Sequence, residues 1–480
     1  IGNSTTISIV LPTIGKEGCL LLVCGRLADL YGRKKAYLSG TLMLAVFTLA
    51  CGFANNILTL IILRGIQGIG AAATIPASLG ILAHAFPPSR ARSLAFATFS
   101  AGAAVGSIFG SAMGGLLAKM TAPTWRSSLF LFAGINVVCF LGGFMCIDKD
   151  IANTADDKKV DWLGAFLITT ALILILFVLG EGETRGWSTG YIIALLVVGV
   201  FLVGTFIYWQ WFLELAESQR LWHDRLPPPV MKVSLWGRAK GRFGAVMVIV
   251  ILTWSAFIGW TFWVQLYYQT YTHLSPLEVV VRLLPMFFTG IVANVVVGIM
   301  AARIPMVFLT AMDTLGTACA CLLFALINPE RTYWAFGFPS TILSVLGVDF
   351  VFSAGTLYIA KISLPHEQSL AAALFQTMVQ LGTSLGVTIS TVVFNRVSSN
   401  LTEGEDNLSA YKAAQWTTTA FGVFSTLLAL LVFRGVGVPG HGKTSNTLEQ
   451  DGKTAPETSQ PKRAEQEKAE EEISQGLERV

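Results

Sequence analysis

The chain has 480 residues, of which 53% are hydrophobic and only 13% are charged, with a formal net charge of +4. A soluble domain carries about a quarter charged residues, so this composition excludes an ordinary soluble globular protein. Apolar runs of about 20 residues, the length needed to cross the hydrocarbon core of a bilayer, recur along the chain. The sequence therefore predicts an all-α polytopic membrane protein.

Twelve spans are predicted after the opening stretch, each an apolar run bounded by charged or turn-forming residues. They lie near residues 36–54, 57–83, 93–118, 126–147, 161–180, 188–213, 244–268, 276–300, 304–327, 333–360, 370–394 and 414–434. Residues 1–24 have to supply two more, making fourteen, if the N-terminus and the basic segment that follows are both cytosolic. Two crossings need about 40 residues, so we expect these first two spans to be truncated, with about 20 to 30 residues missing.

Basic residues predict the orientation of the chain. With segment 26–35 as a cytosolic loop, the cytosolic loops carry 17 Lys and Arg residues and the outer loops carry 7, which fits the positive-inside rule. The predicted units are an N-terminal bundle (1–147), an extra span pair with its linker (148–213), a cytosolic loop on the anionic inner leaflet (214–243), a C-terminal bundle (244–435) and a disordered cytosolic tail (436–480).

The segment GRLADLYGRKK, Gly25 to Lys35, concentrates charge beside an apolar run. Gly32 permits a tight turn between two helices, and the basic cluster around Arg33 holds that turn in the cytosol. Asp29 lies at the membrane boundary, where it can pair with a basic residue or with a helix N-terminus of the facing half. The alternative is a charge cluster that sets topology and has no gating role.

Two further segments place polar or small residues inside predicted spans. Arg64 costs at least a few kcal/mol in hydrocarbon, so it should face the bundle interior with Gln67 one turn away; a snorkelling Arg is the alternative. The segment GAAVGSIFGSAMGG forms a glycine stripe that would let another backbone pack against it closely, whether for function or for simple packing. The stripe consists of Gly102, Gly106, Gly110 and Gly114.

The second half of the chain contributes candidate proton carriers and substrate contacts. Asp313 and Asp349 are intramembrane carboxylates, and protonation would remove a charge that is costly in lipid. Asp349 lies mid-span and is the stronger candidate, whereas Asp313 lies nearer a cytosolic end. Three amides could face a cavity, with packing or interfacial roles as the alternative: Gln265, Gln376 and Gln380. No Cys or His spacing predicts a metal site, and no cofactor is predicted.

These motifs resemble the major facilitator superfamily, and within it the fourteen-span drug:proton antiporters of fungal type. The resemblance rests on three N-terminal segments, the span count and the extra pair at 161–213. In the first of these segments the family pattern matches Gly25, Leu27, Ala28, Asp29, Gly32, Arg33, Lys34 and Lys35.

The resemblance implies two six-helix bundles with a substrate cavity between them at the midplane and alternating access by rocking. It also implies that Asp29 latches the two halves, that Arg64 takes part in proton coupling and that the glycine stripe marks the antiporter branch. Two positions depart from the pattern: Ser107 stands where a Pro is usual, and Asn3 stands where the first span typically has an Asp. Asn3 remains a cavity candidate, although an amide cannot cycle a proton.

The sequence thus predicts a secondary transporter that exports small organic compounds in exchange for protons, and not an enzyme. The alternatives are a facilitator or importer of a polar metabolite, a non-transporting membrane protein such as a sensor, and a variant inactivated by the truncated first spans. The expected partners are a small-molecule substrate, protons and the lipid bilayer, with no nucleic acid. We expect a monomer in the plasma membrane, with the vacuolar membrane as the alternative.

Overall fold

The computed structural model describes residues 20–86, 90–121, 125–148, 159–219, 226–300, 306–364, 367–400 and 407–433. Regular structure in these ranges is helical throughout. Residues 20–31 form α1, and the helices that follow are α2 (Arg33–Gly52), α3 (Ile57–Ala85), α4 (Arg90–Met120), α5 (Trp125–Cys146), α6 (Trp162–Arg185), α7 (Gly190–Ser218), α8 (Arg242–Leu266), α9 (Pro276–Met300), α10 (Met306–Ala325), α11 (Tyr333–Ile362), α12 (Gln368–Ser398) and α13 (Leu408–Val432).

Each of the twelve predicted spans coincides with one of the helices α2 to α13, which confirms the all-α polytopic architecture. Within the described ranges, nine helices are long and apolar enough to cross a membrane. Residues 1–19 lie outside the described part of the chain. The two opening spans, and with them the total of fourteen, therefore remain a prediction.

The segment around Gly32 differs from the predicted loop at 26–35. Residues 26–31 belong to α1 and α2 begins at Arg33, so Gly32 alone separates the two helices. Its φ of 114° is a conformation open to glycine and strained for other residues. The turn predicted at Gly32 is therefore present, but it is tighter than a loop and places the basic residues on helices.

Helices α2 to α5 form an N-terminal group in which α2 packs against α3 and α5, while α8 to α13 form a larger C-terminal group. Contacts of α3 with α12 and of α4 with α9 and α11 join the two groups. The extra pair α6 and α7 packs on the C-terminal group, where the Thr388 hydroxyl on α12 donates a 2.8 Å hydrogen bond to the Leu179 carbonyl on α6.

The connection after α7, predicted as a cytosolic loop at 214–243, begins later than predicted and contains a short helical turn. Helix α7 continues to Ser218, and residues 226–241 fold back onto the protein with a 3₁₀ turn at Val233–Gly237. The apolar side chains Met231 and Leu235 are buried there, and burying them is more favourable than leaving them at a lipid headgroup surface. We call residues 226–241 the docked linker. The predicted tail at 436–480 lies outside the described residues.

A buried carboxylate joins the extra pair to the docked linker. Asp161, 2% exposed, accepts hydrogen bonds from the Gly164 N–H, the Trp209 indole and the Gln210 amide, at 2.7 to 3.2 Å. The Gln210 carbonyl oxygen in turn accepts from the Met231 N–H at 3.1 Å. Because a buried carboxylate is costly unless it is fully hydrogen-bonded, this network specifies one arrangement of α6, α7 and the linker.

The first two glycines of the stripe on α4 meet no packing partner among the described residues. Gly102 and Gly106 are exposed, and an added Cβ at either would meet no described atom within 4 Å; at Gly110 the nearest atom is a ring carbon of Phe132 at 3.5 Å. The surroundings of Gly114 lie outside the described part. The buried face of α4 carries Phe96 and Ser100 instead. A two-residue offset turns a helix by about 200°, which places the stripe on the opposite face.

Close helix approach at glycine occurs at other helix pairs, among them α12 and α8 of the C-terminal group. A Cβ on Gly382 would lie 2.6 Å from the Ile251 carbonyl oxygen, and one on Gly386 would overlap the Ser255 carbonyl oxygen. We therefore expect Gly386→Ala to destabilise the fold by about 1–3 kcal/mol, as overpacking does, and to lower the melting temperature in detergent. The matched change Gly106→Ala should leave it unchanged; equal effects of the two would refute the packing described here.

Candidate functional site

Asp29 joins the two helical groups at the end of the molecule predicted to face the cytosol. Its carboxylate, 6% exposed, pairs with Arg33 on α2 at 2.9 Å. It also accepts the backbone N–H groups of Leu370 at 2.9 Å and Ser369 at 3.3 Å, in the first turn of α12. Asp29 thus fills the role of an N-cap for a helix in the other group, where unpaired N–H groups and the helix dipole favour a negative charge.

Glycine permits this close contact between α1 and α12. A Cβ on Gly25 would lie 2.6 Å from the Ala373 Cβ and 2.9 Å from the Ser369 carbonyl oxygen. The backbone of α1 at Gly25 therefore packs directly against α12. Arg33 extends the contact, since its Nη1 donates to the Gly80 carbonyl on α3 at 3.2 Å. Both kinds of partner considered for Asp29, a basic residue and a helix N-terminus of the facing half, are therefore present.

Two arginines that the sequence marked only as topology signals also bind at this end of the molecule. Arg92 on α4, 5% exposed, donates to the Ala360 carbonyl near the end of α11 at 3.1 Å. Arg238 of the docked linker pairs with Glu367, which precedes α12, at 2.9 Å. The Arg238 pair ties the docked linker to the C-terminal group, whereas the contacts made by Asp29 and Arg92 cross between the two groups. We call these crossing contacts the cytosolic clamp. They close one side of the space between the two groups.

Arg64 lies apart from the cytosolic clamp, near the start of α3. Its Nη1 donates to the Gln67 side-chain oxygen at 3.2 Å, and the Gln67 amide donates to the Thr48 hydroxyl on α2 at 2.7 Å. Arg64 is half-buried and forms no ion pair with a described residue. The structure therefore gives Arg64 the predicted neighbour Gln67 but does not bring it to a carboxylate in the described ranges.

Asp349 borders a cavity of about 220 Å³ between the two helical groups. One lining residue, Ser100, comes from α4, and the others come from α8, α9 and α11. Asp349 lies eleven residues before Ala360 on α11, so the cavity is about 16 Å from the cytosolic clamp along the helix. The lining consists of Ser100, Trp254, Phe257, Met286, Phe287, Gly290, Val345, Val348, Asp349 and Phe352.

A buried amide holds the Asp349 carboxylate. Asn294 on α9 is fully buried, and its Nδ2 donates to Asp349 Oδ2 at 2.8 Å and to the Gly290 carbonyl at 2.9 Å. The Ser353 hydroxyl donates to Asn294 Oδ1 at 3.2 Å, which fixes the orientation of the amide. Asn294 was missed in the sequence, although an Asn within a long charge-free run was an available signal.

Asp313 lies behind Asp349, on α10. It is 1% exposed, and neither carboxylate oxygen accepts a hydrogen bond of normal geometry from a described residue. The Asp349 carboxyl and the Val351 N–H are near enough to interact with it electrostatically. The structure thus brings the two predicted carboxyls together, with Asp349 at the cavity and Asp313 enclosed by protein.

The predicted amide contacts are not among the cavity residues. Gln265 is exposed near the end of α8, outside the cavity lining. Gln376 and Gln380 are half-buried on α12, and the Gln376 side-chain oxygen is enclosed without a hydrogen-bond partner among the described residues. Asn3 lies outside the described residues. No described group of His, Cys, Asp and Glu side chains is arranged to bind a metal ion.

A multi-pass helical protein with a cavity between two helical groups, closed by charged contacts on one side, has the architecture of a membrane transporter. The family model of the Major Facilitator Superfamily matches residues 3–180 and 162–387, so the chain belongs to that superfamily. This confirms the superfamily, the fold and a membrane-transport role.

Curated relatives and solved structures agree with this assignment. The chain is 27% identical to an MFS-type transporter of Schizosaccharomyces pombe, over 86% of this chain and 76% of the relative. It is 24% identical to the efflux pump terJ of Aspergillus terreus, over 90% and 81%. The human organic anion transporter MFSD10 shares the fold, with a TM-score of 0.58 at 15% identity over 88% of this chain and 82% of that one.

Proposed function

We propose that this protein is a secondary active exporter that moves small organic compounds out of the cytosol in exchange for protons, by alternating access. The observation that carries the proposal is the position of Asp349, halfway along α11 and at the edge of a cavity bordered by both helical groups. We further propose that it acts as a monomer of the fourteen-span drug:proton antiporter type in the plasma membrane.

The chemistry of Asp349 supports proton coupling. An ionised carboxylate in a mostly apolar cavity is unfavourable, and protonation removes its charge. Proton binding therefore changes the free energy of the cavity. Asn294 donates to one oxygen of the carboxylate, Oδ2, and Asp349 lines the cavity. A substrate and a proton can then compete for one group, which is the requirement for exchange.

The cytosolic clamp supports alternating access. Asp29 and Arg92 each join elements that would separate if the halves rocked apart on the cytosolic side. Such contacts are broken and re-formed as a unit when two packed bodies rotate about an interface. The clamp as described is the cytosol-closed state of the proposed cycle. The name of the Aspergillus terreus relative, an efflux pump, favours export.

Transport by inside-out membrane vesicles tests this proposal. An acidic lumen should drive uptake of compounds from a panel of small organic molecules, and a protonophore should abolish the accumulation. A facilitator would only equilibrate its substrate, and an importer would show the opposite gradient dependence. No gradient-dependent uptake of any compound, with the protein present and folded, would refute proton-driven export and favour a sensor or an inactive variant.

A further inference from the structure

The cavity at Asp349 has a single ionisable side chain in an otherwise uncharged lining. Asp349 supplies the one carboxylate among the ten lining residues, Ser100 adds a hydroxyl, and none of the ten is basic. Asp349 forms no ion pair within the described ranges, and the hydrogen bond that it accepts comes from the neutral Asn294 amide. A ligand with a positive charge would supply the missing counter-charge, whereas an anion would be repelled.

Aromatic rings line the same cavity as this carboxylate. The rings of Trp254 and Phe352 lie 5.7 Å apart at an interplanar angle of 46°, and Phe257 meets Trp254 edge-on at 6.4 Å. All three side chains line the cavity. Aromatic faces attract cations, with Trp the strongest, and they also stack against aromatic ligands. The lining therefore suits a ligand that combines a cationic group with a ring.

The volume limits the size of this ligand. At about 220 Å³ the cavity is smaller than the pockets of about 300–1,000 Å³ that hold drug-sized molecules. A space of this volume would hold on the order of seven water molecules at the density of liquid water. A compound with one ring and a short charged chain would fill this space, whereas a multi-ring drug would not fit in this conformation.

We propose that the cavity binds a small monovalent organic cation with one aromatic ring, its ammonium group on Asp349 and its ring among Trp254, Phe257 and Phe352. This inference rests on the proposed export function and names its substrate class. Binding the cation requires Asp349 to be ionised, so the Asp349 proton leaves to water as the cation binds. Affinity should therefore fall as the pH is lowered. Among the described residues the other titratable group near Asp349 is Asp313, and the cavity residues of α4, α8 and α9 are not ionisable.

Binding to the purified full-length protein in detergent tests the substrate class. Radiolabelled 2-phenylethylamine would be compared with its neutral analogue 2-phenylethanol and its anionic analogue 3-phenylpropanoate, which share the ring and nearly the same size. We expect the amine to bind at least tenfold more tightly than either. Equal or tighter binding of the alcohol or the anion would overturn the proposal.

Variants of Asp349 test whether its carboxylate causes the preference for the amine. Asp349→Asn should remove the preference for the amine, Asp349→Glu should retain it, and Glu330→Gln, a matched change at an exposed site outside the cavity, should leave it intact. A melting curve for each variant identifies any that fail to fold, and the analogue series with unmodified protein tests the proposal without them. Retained amine preference in folded Asp349→Asn would refute the assignment.

Transport in vesicles separates this proposal from the one on which it rests. Proton-driven uptake of the amine would support both. Proton-driven uptake of neutral or anionic compounds without the amine would leave the export function standing and overturn the cationic substrate class. Amine binding with no gradient-driven transport of any compound would support the site and refute the export function.

Discussion

Replacing Asp349 with Asn should abolish proton-driven accumulation of substrate in inside-out vesicles, with a loss of at least 100-fold in the initial rate. The amide keeps the size of the side chain but cannot take up or release a proton. Asp349 lines the cavity, and Asn294 donates a 2.8 Å hydrogen bond to one of its oxygens. None of the other described carboxyl groups lines the cavity, so none is placed to replace it.

The control for Asp349→Asn is a variant that removes a carboxylate at another site. Glu330→Gln makes the same chemical change at an exposed position between α10 and α11 and should transport at the unmodified rate. Asp349→Glu keeps an ionisable group and should retain part of the activity, with an altered pH profile. Unimpaired accumulation by folded Asp349→Asn would remove this residue from the mechanism.

The second large effect is expected at Asp29. Asp29→Ala would leave Arg33 without its carboxylate and expose the N–H groups of Ser369 and Leu370 to an unfilled site. Removing one partner of a buried ion pair costs about 3–5 kcal/mol. Since the cost falls on the cytosol-closed state, the equilibrium should shift by more than about 100-fold toward a cytosol-open state.

Accessibility of the α1–α12 contact measures this shift. In a background with the native cysteines replaced, a cysteine at Ala373 is shielded by Gly25 in the closed state and should react slowly with an impermeant maleimide from the cytosolic side. Asp29→Ala should accelerate that reaction strongly, while Asp148→Ala, an exposed carboxylate at the end of α5, should not. Equal reactivity in all three proteins would show that Asp29 does not hold the closed state.

The parts of this structure that the sequence predicts well are those set by short-range physics. Span limits follow from charge and apolar length, and each of the twelve predicted spans coincides with a helix. The turn at Gly32 follows from the freedom of glycine, and a partner for Asp29 follows from the cost of an unpaired carboxylate near lipid. None of these inferences requires knowledge of how the helices are arranged.

Which face of a helix meets which neighbour is not predicted in the same way. A membrane helix is apolar on its lipid side as well as its packed side, so hydrophobic periodicity does not orient it. For this reason the exposed Gly106 and Gln265 resemble functional positions in the sequence, whereas Gly386 and Asn294 are the residues at close contacts. Partners distant in the sequence, such as Asp349 and Asn294, depend on that rotation.

The docked linker bears on how a transporter with an additional helix pair could arise. Arg238 holds it to Glu367, Asp161 ties it to α6 and α7 through Gln210, and Thr388 joins α6 to α12. The pair is thereby fastened to one half of the molecule and supplies no residue to the cavity. An ancestral transporter could gain two such helices on one of its halves. Its binding site would not change, and the added helices would move together with that half.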